Sequence, residues 1–236
     1  MGCVNDAHQR LITCVKFVKL SETEQGIISC SRDRTIKLWK VAQNFPNSGS
    51  LPSAGIYLEQ TIGGAEGGHN KSVWGLDVSS AHVATASADT KLKVWKIINH
   101  VENPEPGGSQ SRPPKYQHVK AAEKKRKKAG GAFAVNDRLR AHCTFENQTP
   151  VRHCLLMSSD KSKDLLLLSG DLLGDLNVWS LDTKQHLYQV PEPQGTSAMF
   201  RLSGAVVSMS QHENFVAVWF MNRGVVVYQK QVCSPY

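Results

Sequence analysis

One segment of this chain occurs twice, and nothing else in the sequence restricts the fold so sharply. Gly26 to Trp39 aligns with Ala81 to Trp95, and in both copies the turn aspartate precedes the tryptophan by six residues (Asp33 to Trp39, Asp89 to Trp95). A weaker third copy runs Leu167 to Asp171 and then Leu176 to Trp179. A fourth runs Phe215 to Trp219 and then Gly224 to Tyr228. Self-similarity at this scale marks a unit that cannot bury its apolar face alone and must stack on its neighbours.

Each unit reads as short strands. Ile12 to Phe17 and Ser72 to Val78 are rich in β-branched and aromatic residues and are bounded by polar turns. Ile27 to Ser31 and Val83 to Ser87 carry small and apolar residues on both faces, the pattern of central strands buried on both sides. After the turn, Ile36 and Leu38, like Leu92 and Val94, alternate with Lys37 and Lys93. That period of two predicts a strand with one solvated face. The fold class is therefore all-β.

The polar positions of the repeat carry a family resemblance. Asp6-Ala7-His8 and Gly67-Gly68-His69 stand before the first strand, and Trp39-Lys40 and Trp95-Lys96 close the third. In these positions the chain resembles a WD40 β-propeller, over residues 6–41 and 67–98 and more weakly over 149–190 and 203–231. The resemblance implies a structural hydrogen-bonded tetrad in each complete blade: His8, Ser29, Asp33, Trp39, and His69, Thr85, Asp89, Trp95. In the third repeat Ser169 and Trp179 remain, but Leu173 stands where the aspartate belongs and no histidine matches. Tyr228 and Asn222 take the tryptophan and aspartate positions of the fourth. Those two blades are expected to lack the network, and Trp179 to matter less for stability than Trp95.

Spacing exposes insertions. Trp39 to Trp95 is 56 residues, Trp95 to Trp179 is 84 and Trp179 to Tyr228 is 49, against about 40–45 for a simple blade. The first excess fits Asn44 to Gly55, ahead of an outer strand at Ile56 to Ile62. The second fits His100 to Val135, with Arg138 to Phe145 completing blade two. The expected organisation is 1–99 for blades one and two, 100–137 for a basic low-complexity insertion, and 138–236 for degenerate blades three and four. About four blades imply a partial or irregular ring, with unpaired backbone edges at its ends that promote self-association.

The formal charge of +8 is concentrated in one place. From Arg112 to Arg140 there are ten basic residues and two acidic ones, and elsewhere the signs balance. The run Lys124-Lys125-Arg126-Lys127-Lys128 has three readings: a solvated loop, a nuclear-import signal, and a phosphate-backbone contact with RNA or DNA. Aromatic interleaving of the kind that stacks bases is missing from the run.

Catalytic motifs are absent. Gly63 to Gly68 lacks the lysine of a phosphate loop and reads as the flexible turn into His69. His142-Cys143 and His153-Cys154 could supply zinc ligands, but Cys154 falls at the inward position taken by Val15 and Leu76 in the other first strands. No catalytic residue, metal or cofactor is expected. Neither a membrane span nor a secretory signal is apparent, and six scattered cysteines suit a reducing, intracellular setting, nucleus or cytoplasm.

The resemblance implies a non-catalytic scaffold whose loop-bearing face binds protein or peptide partners in a multiprotein complex. Contact positions on that face are Gln9, Arg10 and Arg32 in blade one and Asn70, Lys71 and Ala88 in blade two. Alternatives are a nucleic-acid-associated factor tethered by the basic insertion and the substrate-recognition propeller of a ubiquitin ligase.

Overall fold

A computed structural model describes residues 4–44, 53–98, 138–158, 164–191, 204–222 and 224–230. Their strands fall into four antiparallel sheets in chain order. Blade one comprises β1 (Ile12–Lys19), β2 (Gln25–Ser31), β3 (Ile36–Asn44) and β4 (Ser53–Ile62). Blade two comprises β5 (Val73–Val78), β6 (His82–Ser87), β7 (Lys91–Ile97) and β8 (Leu139–Glu146). Blade three comprises β9 (Val151–Ser158), β10 (Leu165–Asp171), β11 (Leu176–Ser180) and β12 (Gln185–Gln189). Blade four has β13 (Val206–His212), β14 (Phe215–Phe220) and β15 (Gly224–Gln229), three strands among the described residues. Each sheet is a meander, as short turn-linked antiparallel strands dictate.

Stacking is serial: β1 packs on β5, β5 on β9 and β9 on β13. Three apolar layers lie between the sheets. The first joins Ile28, Leu38 and Val18 of blade one to Leu76, Val83 and Trp95 of blade two. The second joins Ala84, Leu92 and Val94 to Leu156, Leu167 and Trp179, and the third joins Leu155 and Val178 to Val216, Val218 and Phe220. Burying both faces of a central sheet is why β6 and β10 read as unbroken runs of small and apolar residues.

Two expectations change here. Lys37 and Lys93 do not line a solvated face. Both are half-buried, and their ammonium groups donate to Ala7 O at 2.7 Å and to Gly67 O at 2.6 Å, tying the third strand to the loop before the first. Gly63 to Gly68 forms an ordered turn, with the Gly68 amide donating to Gly63 O at 2.7 Å and Glu66 accepting from the Gly63 amide at 2.9 Å. A side chain at Gly68 would place its Cβ 2.4 Å from that carbonyl oxygen, so only glycine fits.

Arg138, counted with the basic stretch by composition and placed with blade two's outer strand by spacing, is 8% exposed where that strand begins. Its guanidinium donates to Glu24 at 2.8 Å and to Glu59 at 3.1 Å, both on blade one. Next to it, Gln60 of β4 and Leu139 of β8 exchange a reciprocal pair of hydrogen bonds at 3.0 and 2.9 Å. Arg140 is exposed but lies within β8, opposite Lys96. Two of the ten cations counted from Arg112 to Arg140 therefore belong to blade two rather than to the insertion. The remaining part, with the Lys124–Lys128 run, lies outside the described residues.

Candidate protein-interaction face

The loops ahead of β1, β5 and β9 lie at the same end of the blades as the turns that follow β2, β6 and β10. The repeat's polar residues bind these loops and turns together. In blade one Trp39 Nε1 donates to Ser29 Oγ at 2.9 Å, Ser29 Oγ lies 2.7 Å from His8 Nε2, and His8 Nδ1 lies 2.9 Å from Asp33 Oδ2. Burial lowers the His8 pKa against the pull of Asp33, so the ring is neutral at pH 7. One proton arrangement satisfies every atom: Trp39 N–H to Ser29, Ser29 O–H to His8 Nε2, and His8 Nδ1–H to Asp33.

The same carboxylate also accepts from the Gln9 amide at 2.9 Å and from the Thr35 amide and hydroxyl at 2.9 and 2.6 Å. Burial pushes the Asp33 pKa up, but the hydrogen bonds from Thr35, Gln9 and His8 outweigh it and bring it down to about 2. Blade two repeats the histidine–hydroxyl–aspartate part of the plan. His69 Nε2 lies 2.8 Å from Thr85 Oγ1, and its Nδ1 lies 3.0 Å from both Asp89 oxygens, while the Asn70 amide donates to Asp89 at 2.9 Å. Trp95 meets His69 edge-on, with ring centroids 6.1 Å apart. The turns tighten through a left-handed residue after each aspartate, Arg34 (φ 73°) and Thr90 (φ 66°).

Blade three departs from the expectation that it lacks a network. Trp179 Nε1 donates to Ser169 Oγ at 2.8 Å. The carboxylate has moved two residues upstream, to the buried Asp171 at the end of β10. It accepts from Asn147 at 3.1 Å, from the Thr149 hydroxyl, and from the amides of Leu173 and Asp175 at 2.9 Å each. Asp171 thus combines the work of Asp33 with that of Ser31, whose hydroxyl accepts from the Asp33 amide at 3.0 Å. Asn147 stands four residues before β9, the offset that His8 has from β1 and His69 from β5. That offset was the readable signal.

These networks hold the predicted contact positions in fixed places. Gln9, Arg10, Arg32, Asn70 and Lys71 are exposed, and Ala88 is half-buried. The Ser72 hydroxyl donates to Arg32 O at 3.4 Å, which joins the blade-two loop to the blade-one turn. Beside Arg32 opens a cavity of about 580 Å³ between the innermost strands of all four blades, lined by Lys16, Arg32, Trp74, Arg152, His153 and Ser208 among others. The Arg152 guanidinium lies over the Trp74 ring at 5.3 Å from its centroid. Lys16 lies 3.5 Å from Asp77, whose other oxygen accepts from the Leu156 amide at 2.8 Å. Trp74 and Arg152 were missed in the sequence, because neither occupies a repeated polar position.

The titratable histidines and thiols around this face are engaged or buried. Both nitrogens of His8 and of His69 are engaged within their blades. Burial raises the thiols of Cys14, Cys30, Cys143 and Cys154, with Cys30 pushed up to about 12 and Cys143 to about 11. Such thiols are poor nucleophiles and poor metal ligands. His142 lies against His82, with centroids 5.2 Å apart, and His153 borders the cavity, so the two His-Cys pairs have different neighbours. Among the described residues no helix is long and apolar enough to cross a membrane.

Residues 2–40 and 62–96 match the family model for the WD domain, G-beta repeat. The matched stretches correspond to β1–β3 and β5–β7 with their preceding loops, the parts that hold the two His-Asp networks. In solved structures the chain is similar to the computationally designed Ika4 protein, at 17% identity over 97% of this chain and 96% of that one, with a TM-score of 0.53. At that identity the likeness speaks for the fold alone.

Proposed function

We propose that this WD40-repeat protein is a non-catalytic scaffold whose loop-bearing face binds an acidic segment of a protein partner. WD40 repeats serve generally as protein-interaction modules; the acidic preference rests on one observation. Three exposed cations, Arg10, Arg32 and Lys71, project from loops tied down by the His-Asp networks, and Arg32 borders a cavity that Arg152 and Trp74 also line. A rigid loop loses little entropy on binding, and arginines with an aromatic neighbour are the residue types that anchor interfaces. Fluorescence polarisation against acidic, neutral and basic peptides tests the reading. Acidic peptides should bind best, with affinity falling as salt rises, and reversal of Arg10, Arg32 and Lys71 to Glu should abolish the preference. Equal binding of all three peptide classes would sink it.

A second reading concerns the basic run Lys124-Lys125-Arg126-Lys127-Lys128, supported by the concentration of the net charge in that insertion. There it serves as an attachment for a nuclear-import receptor or for nucleic acid. Replacing the five residues with Ala should move a fluorescent fusion out of the nucleus or remove a salt-dependent RNA mobility shift. If neither changes, the run is a solvated loop.

A further inference from the structure

Four blades in series have two end faces, and both are apolar. Within the chain one kind of contact is made three times: the back of each blade packs on the tetrad face of the next. Ile28 and Leu38 meet Leu76 and Trp95, Ala84 and Val94 meet Leu156 and Trp179, and Leu155 and Val178 meet Val216 and Val218. After the third contact a tetrad face is left over on blade one and a back on blade four. On blade one, strand pairing aligns Val15 and Phe17 with Ile27, Trp39 and Leu58, and of these Val15 is 54%, Phe17 78% and Leu58 41% exposed. On blade four it aligns Phe215, Ala217 and Trp219 with Val225 and Val227, where Phe215 and Trp219 are 50%, Val225 65% and Val227 62% exposed.

We propose that two copies of this chain close head to tail, blade four of each on blade one of the other, into an eight-bladed ring. The leftover faces are the two halves of the contact already made three times within the chain, so a second copy supplies the missing mate of both at once. A head-to-tail contact closes into a ring or runs on as a filament, according to its rotation. The innermost strands β1, β5, β9 and β13 border one cavity, so successive blades turn in one sense about a common centre, the arrangement that favours a ring over a filament. Eight blades fall within the roughly four to eight that propellers contain. The sticky surfaces are thus sheet faces, not the unpaired strand edges suggested by the sequence, and their exposed aromatic residues are what a lone copy leaves in water.

Sedimentation of the full 236-residue chain over a concentration series tests this, with Phe17→Glu and Trp219→Glu as variants. A monomer–dimer equilibrium is expected, and each substitution should weaken it at least roughly 30-fold. Both side chains are exposed in a single copy, so melting temperatures and near-UV spectra at low concentration should stay unchanged. Leu58→Glu replaces Phe17→Glu if that variant misfolds. Mixing the two variants provides the decisive arm. One intact blade-four face then meets one intact blade-one face, so the mixture should form a heterodimer that neither variant forms alone. A monomer at every attainable concentration overturns the proposal and is the outcome if blades of another protein cover these faces. Growth into open-ended oligomers also overturns it, as does a dimer lost in only one variant, which would mark a face paired with its own copy.

Discussion

Single side chains matter here through the partners they would leave unsatisfied. Trp95 and Trp179 are 2% and 6% exposed, and Trp179 keeps its bond to Ser169 while packing on Phe145 and His186 at 5.3 and 4.7 Å between centroids. Trp95→Ala and Trp179→Ala should therefore each cost about 3–5 kcal/mol, against the lesser role the sequence suggested for Trp179. Denaturant melts check this, and a Trp179→Ala loss well below 1.5 kcal/mol, roughly half the lower bound, would show that Asp171 does not replace the turn aspartate. Acid should act through the same networks. Burial lowers the folded pKa of His8, His69, His82 and His153, so their contribution is present above their unfolded value near 6.5 and declines as pH falls below it. Asp33, depressed to about 2 from 3.8, contributes above its unfolded value and is lost between about pH 4 and 2. Melting temperature should fall between pH 7 and 5 and again below pH 4. A flat profile from 7 to 5 would mean the histidines are not held neutral.

At the scale of strands and turns, the outer edge of the sheets is where neighbouring blades are joined by charge. Arg138 bridges Glu24 and Glu59, and Lys40 also pairs with Glu24, so one arginine at the start of β8 compensates two carboxylates on blade one. Removing it leaves the part-buried Glu59 without its cation and Glu24 with Lys40 alone, and Arg138→Ala should destabilise by about 2 kcal/mol. Arg140→Ala, two positions further on at an exposed site, should stay within about 0.5 kcal/mol. Parallel thermal melts of the two variants measure the difference. Equal, small effects would show that the Arg138 bridge adds nothing to the fold.

For the molecule as a whole, the separation of scaffold from charge is the testable property. The blades from residue 138 onward make their contacts with blades one and two directly, through β8 and β9. With Arg138 just before β8 and Arg140 within it, eight basic residues and two acidic ones remain between Arg112 and Asp137. Five of those cations are consecutive, repel one another and carry no apolar surface to bury. Replacing Lys124 to Lys128 with Ala should change the melting temperature by no more than about 2 °C, which corresponds to roughly 0.5 kcal/mol in a chain of this size. A drop of several degrees in differential scanning calorimetry would reveal a packed segment instead.

What the sequence determined by itself was local and periodic. Alternation, turn residues and the six-residue step from Asp33 to Trp39 and Asp89 to Trp95 placed the strands and located both His-Asp networks, because strand pairing repeats the same offsets in every blade. The same logic recovered Arg138 to Phe145 as blade two's outer strand across a long insertion. Everything that depended on distant neighbours needed the tertiary structure. Arg138 meets Glu24 across 114 residues, and Gln60 meets Leu139 across 79, separations that carry no sequence period. Asp171 could take over the turn only because Asn147 and Thr149 from another loop reach it. Whether an alternating strand faces water or another blade is decided by what stacks on it, which is why Lys37 proved half-buried and Phe17 and Trp219 exposed.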